Sequence, residues 1–309
     1  MSITLGITAY QEGELLHKSI KSLLNQNLED WIGYVVLDGG YDQKTLDVLN
    51  CYDDPRLNKI ILSQNIGPYP ARELIFEKSS NDVILHCDAD DELTPNAASI
   101  VNKIFSDPSV EFAGFGAQIM EHNIKSYYIS GQPIDLKHFI LTRSFPGYVL
   151  FRKRMWLKYQ GYNNALKRGK ADFDFLLKLM ANNEKYAYTD QQVITKYERS
   201  NSVSKKYKVN LAKKHEIIVN SNPKAFSNEI LKNQFLKHGY MNSCWAAYDK
   251  GEYDLASEYA RKYSELDNKL NVWPLYLTNS LPLKIIKTLV TVRRLLAKIK
   301  KYAISSRLL

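Results

Sequence analysis

Short apolar runs and longer amphipathic stretches alternate along the first ninety residues of the chain. The apolar runs predict four β-strands, at 3–8, 33–37, 59–62 and 82–87. The stretches between them carry apolar residues at helical spacing and predict helices at 14–25, 43–52 and 69–78. Strands that alternate with helices favour an α/β fold with a mostly parallel central sheet, connected by right-handed crossovers.

The fourth apolar run ends in three carboxylates, Asp88, Asp90 and Asp91. Carboxylates this close repel one another unless a cation or a shared proton relieves them, and Mg²⁺ or Mn²⁺ binds to such oxygens together with substrate phosphates. A solvated acidic turn is the alternative interpretation. The next residues predict a helix start, with Thr94 as the N-cap and Pro95 at the first helical position, and the helical pattern continues over 96–105.

Polar residues follow the other strands in the same way. Ligands of parallel sheets bind beyond the carboxyl ends of the strands. This rule places residues 8–12, 38–40 and 88–91 on one rim of the predicted sheet, and the surroundings of the acidic turn therefore favour a binding site.

The second half of the chain is less regular. It predicts a strand at 112–120 and a helix that follows Ala171, with Asp172 and Asp174 in the first helical turn. Because the helix dipole favours negative charge there, helix capping is an alternative role for both residues. From residue 208 the pattern is helical, and 235–250 and 253–266 predict a hairpin with tetratricopeptide-like packing.

The formal net charge is +9, and it is concentrated at the C-terminus. Residues 268–309 contain no Asp or Glu and carry nine basic residues: Lys269, Lys284, Lys287, Arg293, Arg294, Lys298, Lys300, Lys301 and Arg307. The pattern from 283 onward predicts a basic amphipathic helix, which favours an anionic membrane surface. Packing on the protein is the alternative. Since the charge is confined to this segment and no nucleic-acid module is recognised, nucleic acid is not an expected partner.

Cysteine usage and hydropathy indicate the cellular compartment. The three cysteines are Cys51, Cys87 and Cys244, far apart and without metal-ligand spacing, which suits a reducing environment. We find neither the pattern of a signal peptide at the N-terminus nor an apolar run long enough to span a bilayer. We therefore expect a cytoplasmic protein, peripheral on the inner face of the membrane if the terminal helix binds lipid.

Several motifs occur in one order, and together they resemble the family 2 glycosyltransferases of the GT-A fold. In sequence they are Ile7-Thr8-Ala9-Tyr10-Gln11-Glu12-Gly13, Leu37-Asp38-Gly39-Gly40, Asp54-Pro55-Arg56, Asn65-Ile66-Gly67-Pro68, Ala71-Arg72 and Asp88-Ala89-Asp90-Asp91. The resemblance runs to about residue 204 and implies inverting transfer of a sugar from a nucleotide-sugar donor to an acceptor hydroxyl.

The resemblance also implies residue roles. Thr8, Tyr10 and Glu12 would border the nucleotide, Asp38 would bond the base, and Arg72 would support the nucleotide site. Asp88 and Asp90 would bind Mn²⁺ or Mg²⁺, with Asp88 and Asp91 also facing the donor. Asp172 corresponds to the catalytic base, with Asp174 as the alternative. Residues 201–204 resemble a segment near the diphosphate.

The sequence departs from the family pattern at four positions: Gln11, Leu37, Tyr41 and Ala171. These departures keep a non-catalytic protein of the same fold, binding nucleotide sugars or serving as a membrane scaffold, as an alternative. A nucleotidyltransferase is a second alternative, but it is expected to carry a glycine-rich basic loop after the first strand. The corresponding loop, residues 9–13, has no basic residue.

The combined prediction is therefore a GT-A domain at 1–207, a helical hairpin region at 208–270 and a basic helix at 271–309. The expected donor is a UDP-sugar, and the expected acceptor is a saccharide or lipid-linked molecule in surface polysaccharide or glycolipid assembly.

Overall fold

Residues 3–88 contain the four strands of a parallel sheet. The computed structural model describes residues 2–121, 124–145, 147–198 and 210–266. The order of the sheet is β3-β2-β1-β4, and every pair is parallel, as the sequence predicts. The strands are β1 (Ile3–Ala9), β2 (Trp31–Leu37), β3 (Leu57–Ile61) and β4 (Ile84–Asp88). Ile3, Leu5 and Ile7 of the inner strand β1 are fully buried on one face, and Thr4 is fully buried on the other, so both faces of that strand are covered.

Three helices connect these strands: α1 (Glu14–Leu24), α2 (Gln43–Asn50) and α3 (Pro68–Lys78). Helix α1 buries Leu16, Ile20 and Leu23, whose spacings of four and three put them on one face. Helix α2 begins where the Asp42 side chain accepts a hydrogen bond from the Thr45 amide at 2.8 Å. The strand-helix alternation predicted from the sequence is confirmed in this part of the chain.

A second, mixed sheet follows in the order β5-β9-β6-β7, with β8 on β6. Strands β6 and β9 are parallel and the other pairs are antiparallel. The strands are β5 (Glu92–Leu93), β6 (Phe112–Glu121), β7 (Ile124–Ile129), β8 (Tyr148–Phe151) and β9 (Tyr186–Glu198). Helix α4 (Ala97–Phe105) packs on β9.

The predicted helix start at Thr94 and Pro95 is wrong. The N-cap position is Asn96, and α4 begins at Ala97. Thr94 is extended instead: its amide donates to the Val193 carbonyl at 2.9 Å, and its hydroxyl donates to the Gln192 carbonyl at 3.0 Å. Pairing of this segment with β9 outcompetes the local capping preference.

Three more helices and a 3₁₀ turn complete this part of the structure. They are α5 (Leu136–Thr142), α6 (Lys153–Lys158), the turn Asn164–Leu166 and α7 (Ala171–Ala181). Asp172 and Asp174 lie in the first turn of α7, as predicted.

The remaining helices of the described residues are α8 (Leu211–Ser221), α9 (Glu229–Lys250) and α10 (Tyr253–Glu265). These residues divide into two compact units, one that ends at residue 198 and includes 219–227, and the other with 210–218 and 228–266. In the second unit, α9 and α10 form a hairpin that turns at Gly251, whose φ of 82° is a left-handed conformation suited to glycine. The His215 ring stacks on Phe235 there, with centroids 3.9 Å apart.

Two predicted features lie outside the described residues: the segment 201–204 and the basic helix at 271–309. Within the described ranges, no helix has the length and apolar character needed to cross a membrane.

Arg152, at the end of β8, links several elements from a buried position. Its guanidinium donates to the carbonyls of Val110, Phe105 and Asp107 at 2.6, 2.7 and 3.0 Å, and to Asp82 Oδ2 at 3.2 Å. Because Phe105 ends α4, the cation also faces the negative end of the helix dipole.

We expect Arg152→Met to lower the free energy of unfolding by about 3 kcal/mol, because it leaves three carbonyls without their donor. The matched control is Arg154→Met. Arg154 is 42% exposed and pairs with Glu111 at 2.8 Å, so its loss should cost about 1 kcal/mol or less. Urea unfolding of both variants measures the difference, and equal losses would contradict the anchoring role of Arg152.

Candidate active site

The carboxyl ends of three parallel strands meet at one edge of the first sheet. Thr8 of β1 pairs in register with Asp88 of β4, and Ala9 pairs with Leu37 of β2. The acidic run, the loop after β1 and the Asp38 loop therefore start at the same edge, as the sequence predicts for the rim.

Arg72 of α3 and Asp88 form the central ion pair of this edge. The Arg72 Nη2 atom donates to Asp88 Oδ1 at 2.9 Å. The Arg72 side chain is 17% exposed, whereas that of Asp88 is 40% exposed. The arginine is thus packed in place, while the carboxylate keeps a face open to a ligand.

His86 supports this pair from the same strand. Its Nε2 accepts a hydrogen bond from Arg72 Nε at 3.2 Å and lies 3.1 Å from the Thr8 hydroxyl. Burial and the charge of Arg72 hold the pKa of His86 well below its usual value, so the ring stays neutral and can accept. Thr8, predicted to border the nucleotide, is thereby connected to Arg72.

Lys196 of β9 reaches the acidic run from the second sheet. Its Nζ lies 3.2 Å from Asp91 Oδ2 and 3.8 Å from Asp88 Oδ2. The other Asp91 oxygen, Oδ1, accepts from the Tyr197 amide at 3.0 Å, and only 3% of Asp91 is exposed. Asp91 is therefore held on both oxygens, and Asp90 is half-buried beside it.

The electrostatics of the cluster follow from these contacts. Burial alone would raise the pKa of Asp88, but attraction to Arg72 and Lys196 outweighs it and holds that pKa well below the usual range. Burial raises the pKa of Asp91 to about 7; Lys196 opposes this rise, and the Asp88 and Asp90 carboxylates reinforce it. Burial disfavours the Lys196 cation, yet Asp88 and Asp91 raise its pKa above the usual value.

Asp38 shapes the neighbouring loop. Its Oδ1 and Oδ2 accept hydrogen bonds from the amides of Ile66 and Gly67 at 2.8 and 3.0 Å. Gly67 has a φ of 99°, which favours glycine, and a Cβ on Gly39 would lie 2.3 Å from the backbone of Gln64. The Asp-Gly-Gly motif thus brings two loops into backbone contact at the predicted base site.

The loop after β1 is closed by its own side chains. The Tyr10 amide donates to Glu12 Oε2 at 2.5 Å, and Gln11 Nε2 donates to the Gly40 carbonyl at 2.7 Å. The Tyr10 side chain is exposed, and Gly40 lies against its ring. These contacts place Tyr10 and Glu12 beside the Asp38 loop.

Asp172 and Asp174 occupy different environments. Asp172 is exposed, and its Oδ1 accepts from the buried Tyr69 hydroxyl at 2.8 Å and from the Phe173 amide at 2.8 Å. Burial, and then the negative charge of Asp172, raise the pKa of Tyr69 well above its usual value, so its hydroxyl remains a donor. The Arg72 guanidinium lies 5.5 Å from the Tyr69 ring centroid, which connects Asp172 to the Asp88 cluster.

Asp174 is fully buried and points elsewhere. Its Oδ1 accepts from the Ser221 hydroxyl at 2.6 Å and from Asn222 Nδ2 at 2.7 Å, and its Oδ2 lies 3.2 Å from Lys178 Nζ. Its described contacts serve packing between α7 and the end of α8.

Three residues of this site were missed by sequence reasoning: Tyr69, His86 and Lys196. His86 precedes Asp88 by two positions, and strand alternation puts both on one face, so this residue had a usable signal. Tyr69 also had one, since it lies between the motifs at 65–68 and 71–72 and one helical turn before Arg72. Lys196 had none, because tertiary packing brings it to the site from a segment without a motif.

The carboxylates suit a divalent ion that shares its ligands with a substrate. Among the described residues, no group of three or more acidic, His or Cys side chains could hold a metal. Asp88 and Asp90 supply hard oxygen donors, and Mg²⁺ or Mn²⁺ is ordinarily bound by one or two carboxylates plus phosphate oxygens and water. The residues present therefore fit such an ion as a site completed by a phosphate ligand.

The sequence profile of glycosyl transferase family 2 matches residues 4–163, which is more than half of the chain. The matched range includes Arg72, His86 and the three carboxylates at 88–91, and Lys196 lies outside it. The chain belongs to glycosyl transferase family 2. The family prediction made from the ordered motifs is confirmed, and with it the assignment of the chain to the glycosyltransferases.

Solved structures show the same fold. S. aureus TarS 1-349 in complex with UDP-GlcNAc matches with a TM-score of 0.67 and 15% identity, over 95% of this chain and 92% of that one. The mannosyltransferase PcManGT from Pyrobaculum calidifontis, in complex with GDP-Man and Mn²⁺, matches with a TM-score of 0.53 and 14% identity, over 94% and 83%. The predicted GT-A fold, with a parallel central sheet and C-terminal helices, is confirmed.

An N-acetylglucosaminyltransferase of Rhizobium sp. (strain N33) is 28% identical over 114 residues, or 35% of this chain. The chain spans a quarter of the length of that relative. It also spans 55% of a longer TarS chain, with a TM-score of 0.63 and 14% identity.

The Asp38 loop gives a test that is independent of activity. We expect Asp38→Ala to increase hydrogen exchange at the Ile66 and Gly67 amides, because both lose their acceptor. Asp42→Ala, which removes the acceptor of the Thr45 amide and hydroxyl, is the control and should leave residues 66 and 67 unchanged. Unaltered exchange at both amides in Asp38→Ala would show that the carboxylate does not hold the loop.

Proposed function

We propose that the chain transfers a sugar from a nucleotide-diphosphate sugar to an acceptor hydroxyl with inversion at the anomeric carbon. The observation that supports this most is the convergence of Arg72, Asp88 and Asp91 at one sheet edge, with the exposed carboxylate of Asp172 connected to it through Tyr69. A UDP-sugar is the proposed donor, with N-acetylglucosamine as the first sugar to test. The TarS complex with UDP-GlcNAc and the Rhizobium relative support that choice.

The donor's nucleotide is assigned to the loops after β1 and β2. Tyr10 offers an exposed aromatic ring, and Thr8, Glu12 and Asp38 would supply polar groups to the nucleotide. The diphosphate is then directed toward the open face of Asp88, where Arg72 supplies positive charge.

Asp88 and Asp90 would hold a divalent ion, and Mn²⁺ in the PcManGT structure supports this choice. When bound, such an ion neutralises charge on the leaving diphosphate. The protein contributes its own fixed charge, because the Arg72 guanidinium is held by Asp88 and His86 before a ligand arrives.

Asp172 is the proposed general base. An acceptor hydroxyl is a weak nucleophile, and a carboxylate within hydrogen-bond reach must take its proton during attack. The Tyr69 hydroxyl donates to Oδ1 of the exposed Asp172 side chain, and Oδ2 would take the proton of the acceptor. Asp174 is unsuited to this task because it is buried and bonded to Ser221 and Asn222.

The acceptor is proposed to be a saccharide or lipid-linked molecule of surface polysaccharide or glycolipid assembly. Peripheral attachment of the basic segment at 271–309 to the inner face of a membrane would bring the site close to such an acceptor. This placement rests on the sequence pattern of residues outside the described ranges.

We expect Asp172→Asn to lower the transfer rate by about 10²–10⁴-fold while leaving donor affinity unchanged, because only proton removal is lost. Asp174→Asn is the matched control from the same helical turn. It should lower the free energy of unfolding by about 1–3 kcal/mol, because it disturbs a buried network, and retain transfer per folded molecule.

Initial rates with UDP-N-acetylglucosamine, together with calorimetric donor binding, measure both variants. Anomeric NMR of the wild-type product tests inversion. Full transfer by Asp172→Asn, or loss of transfer only in Asp174→Asn, would contradict the assignment of the base.

A further inference from the structure

Lys196 is the cation that contacts the carboxylates of Asp88 and Asp91 from the second sheet. It lies near the carboxyl end of β9, on the second sheet, and it faces two carboxylates at once, Asp91 at 3.2 Å and Asp88 at 3.8 Å. Its ammonium group also lies 5.7 Å from the centroid of the Tyr148 ring. Its side chain is 35% exposed, about twice the exposed fraction of the Arg72 side chain.

The two cations of the cluster differ in how firmly they are held. Arg72 is anchored by directed hydrogen bonds to Asp88 and His86, and its side chain is half as exposed as that of Lys196. Lys196 makes ion pairs through a flexible stem whose ammonium carries three rotatable donors. The longer of its two contacts, to Asp88 Oδ2, exceeds hydrogen-bond distance. Lys196 can therefore leave Asp88 without losing a hydrogen bond to it, whereas Arg72 cannot.

The oxygen that Lys196 faces on Asp88 is also the one that a divalent ion needs. Asp88 Oδ1 is engaged by Arg72, which leaves Oδ2 as the oxygen open to a metal. An ammonium group and a divalent ion near one carboxylate oxygen repel each other. A bound diphosphate removes this conflict, since it offers new oxygens to the ammonium group.

We propose that Lys196 is an exchangeable counter-charge of the donor site. Without a donor it neutralises Asp88 and Asp91, and on donor binding its ammonium turns to the diphosphate oxygens and frees Asp88. The assignment rests on the proposed nucleotide-sugar function and adds to it a second protein cation for the leaving group. A purely structural lysine would instead stay on Asp91 and would have no contact with the nucleotide.

The two roles of Lys196 predict different changes in UDP and Mn²⁺ affinity for Lys196→Met. If Lys196 contacts the diphosphate, UDP affinity in EDTA should fall by about tenfold, the usual size of a lost charge-assisted hydrogen bond. Binding of Mn²⁺ alone should become roughly threefold tighter, because a competing cation is gone. A structural lysine predicts unchanged UDP affinity in EDTA.

The experiment uses the full chain, with UDP binding by calorimetry in EDTA and Mn²⁺ binding by the EPR signal of the free ion. Lys196→Gln is measured beside Lys196→Met because glutamine keeps a hydrogen-bond donor toward Asp91 but has no charge. It should show the weaker UDP binding and the tighter Mn²⁺ binding even if methionine disturbs the fold. Lys185→Met is the control: Lys185 precedes β9 and pairs with Asp107 at 3.1 Å, so neither affinity should change.

Weaker UDP binding together with tighter Mn²⁺ binding in the Lys196 variants supports the exchange. Unchanged UDP affinity, or weaker Mn²⁺ binding, overturns it while leaving the proposed function intact. Failure of the wild-type chain to bind UDP in either condition contradicts the proposed function itself, and the role of Lys196 with it.

Discussion

The repulsion among three carboxylates at the end of β4 is the constraint on which the site depends. Asp88, Asp90 and Asp91 follow a buried strand, where their charges are costly unless cations lie close by. Arg72 and Lys196 meet this need from opposite sides, one from the helix before the strand and the other from the second sheet. The acidic run therefore requires both sheets to be in place before it can be stable.

The same constraint organises the residues around it. Arg72 can neutralise Asp88 only if its guanidinium is held in place. The neutral ring of His86 holds it by accepting a hydrogen bond, and the same ring contacts Thr8. Arg72 in turn lies near the Tyr69 ring, and Tyr69 orients Asp172. A single ion pair thus connects the donor edge of the sheet to the residue proposed as the base, although these residues are far apart in sequence.

The sequence was informative where function is carried by local pattern. Periodicity predicted the parallel sheet, the position of polar residues after its strands placed Thr8, Asp38 and Asp88 on one edge, and the family resemblance added Arg72. The sequence was uninformative where contacts between distant segments determine the position of a residue. Lys196 carries no motif, and Thr94 has the pattern of a helix cap but pairs with β9. Asp172 and Asp174 have equivalent positions by pattern, and only burial separates them.

The central claim is that the carboxylates of β4 form the donor site of a glycosyltransferase, and calorimetric titration with UDP-N-acetylglucosamine in Mn²⁺ tests it most directly. The account predicts saturable binding to the wild-type chain and an affinity at least about tenfold lower in Asp90→Asn. Asp107→Asn, a change at an exposed aspartate paired with Lys185, should bind as the wild type does. Equal binding by Asp90→Asn, or no binding of any nucleotide sugar by the wild type, would contradict it.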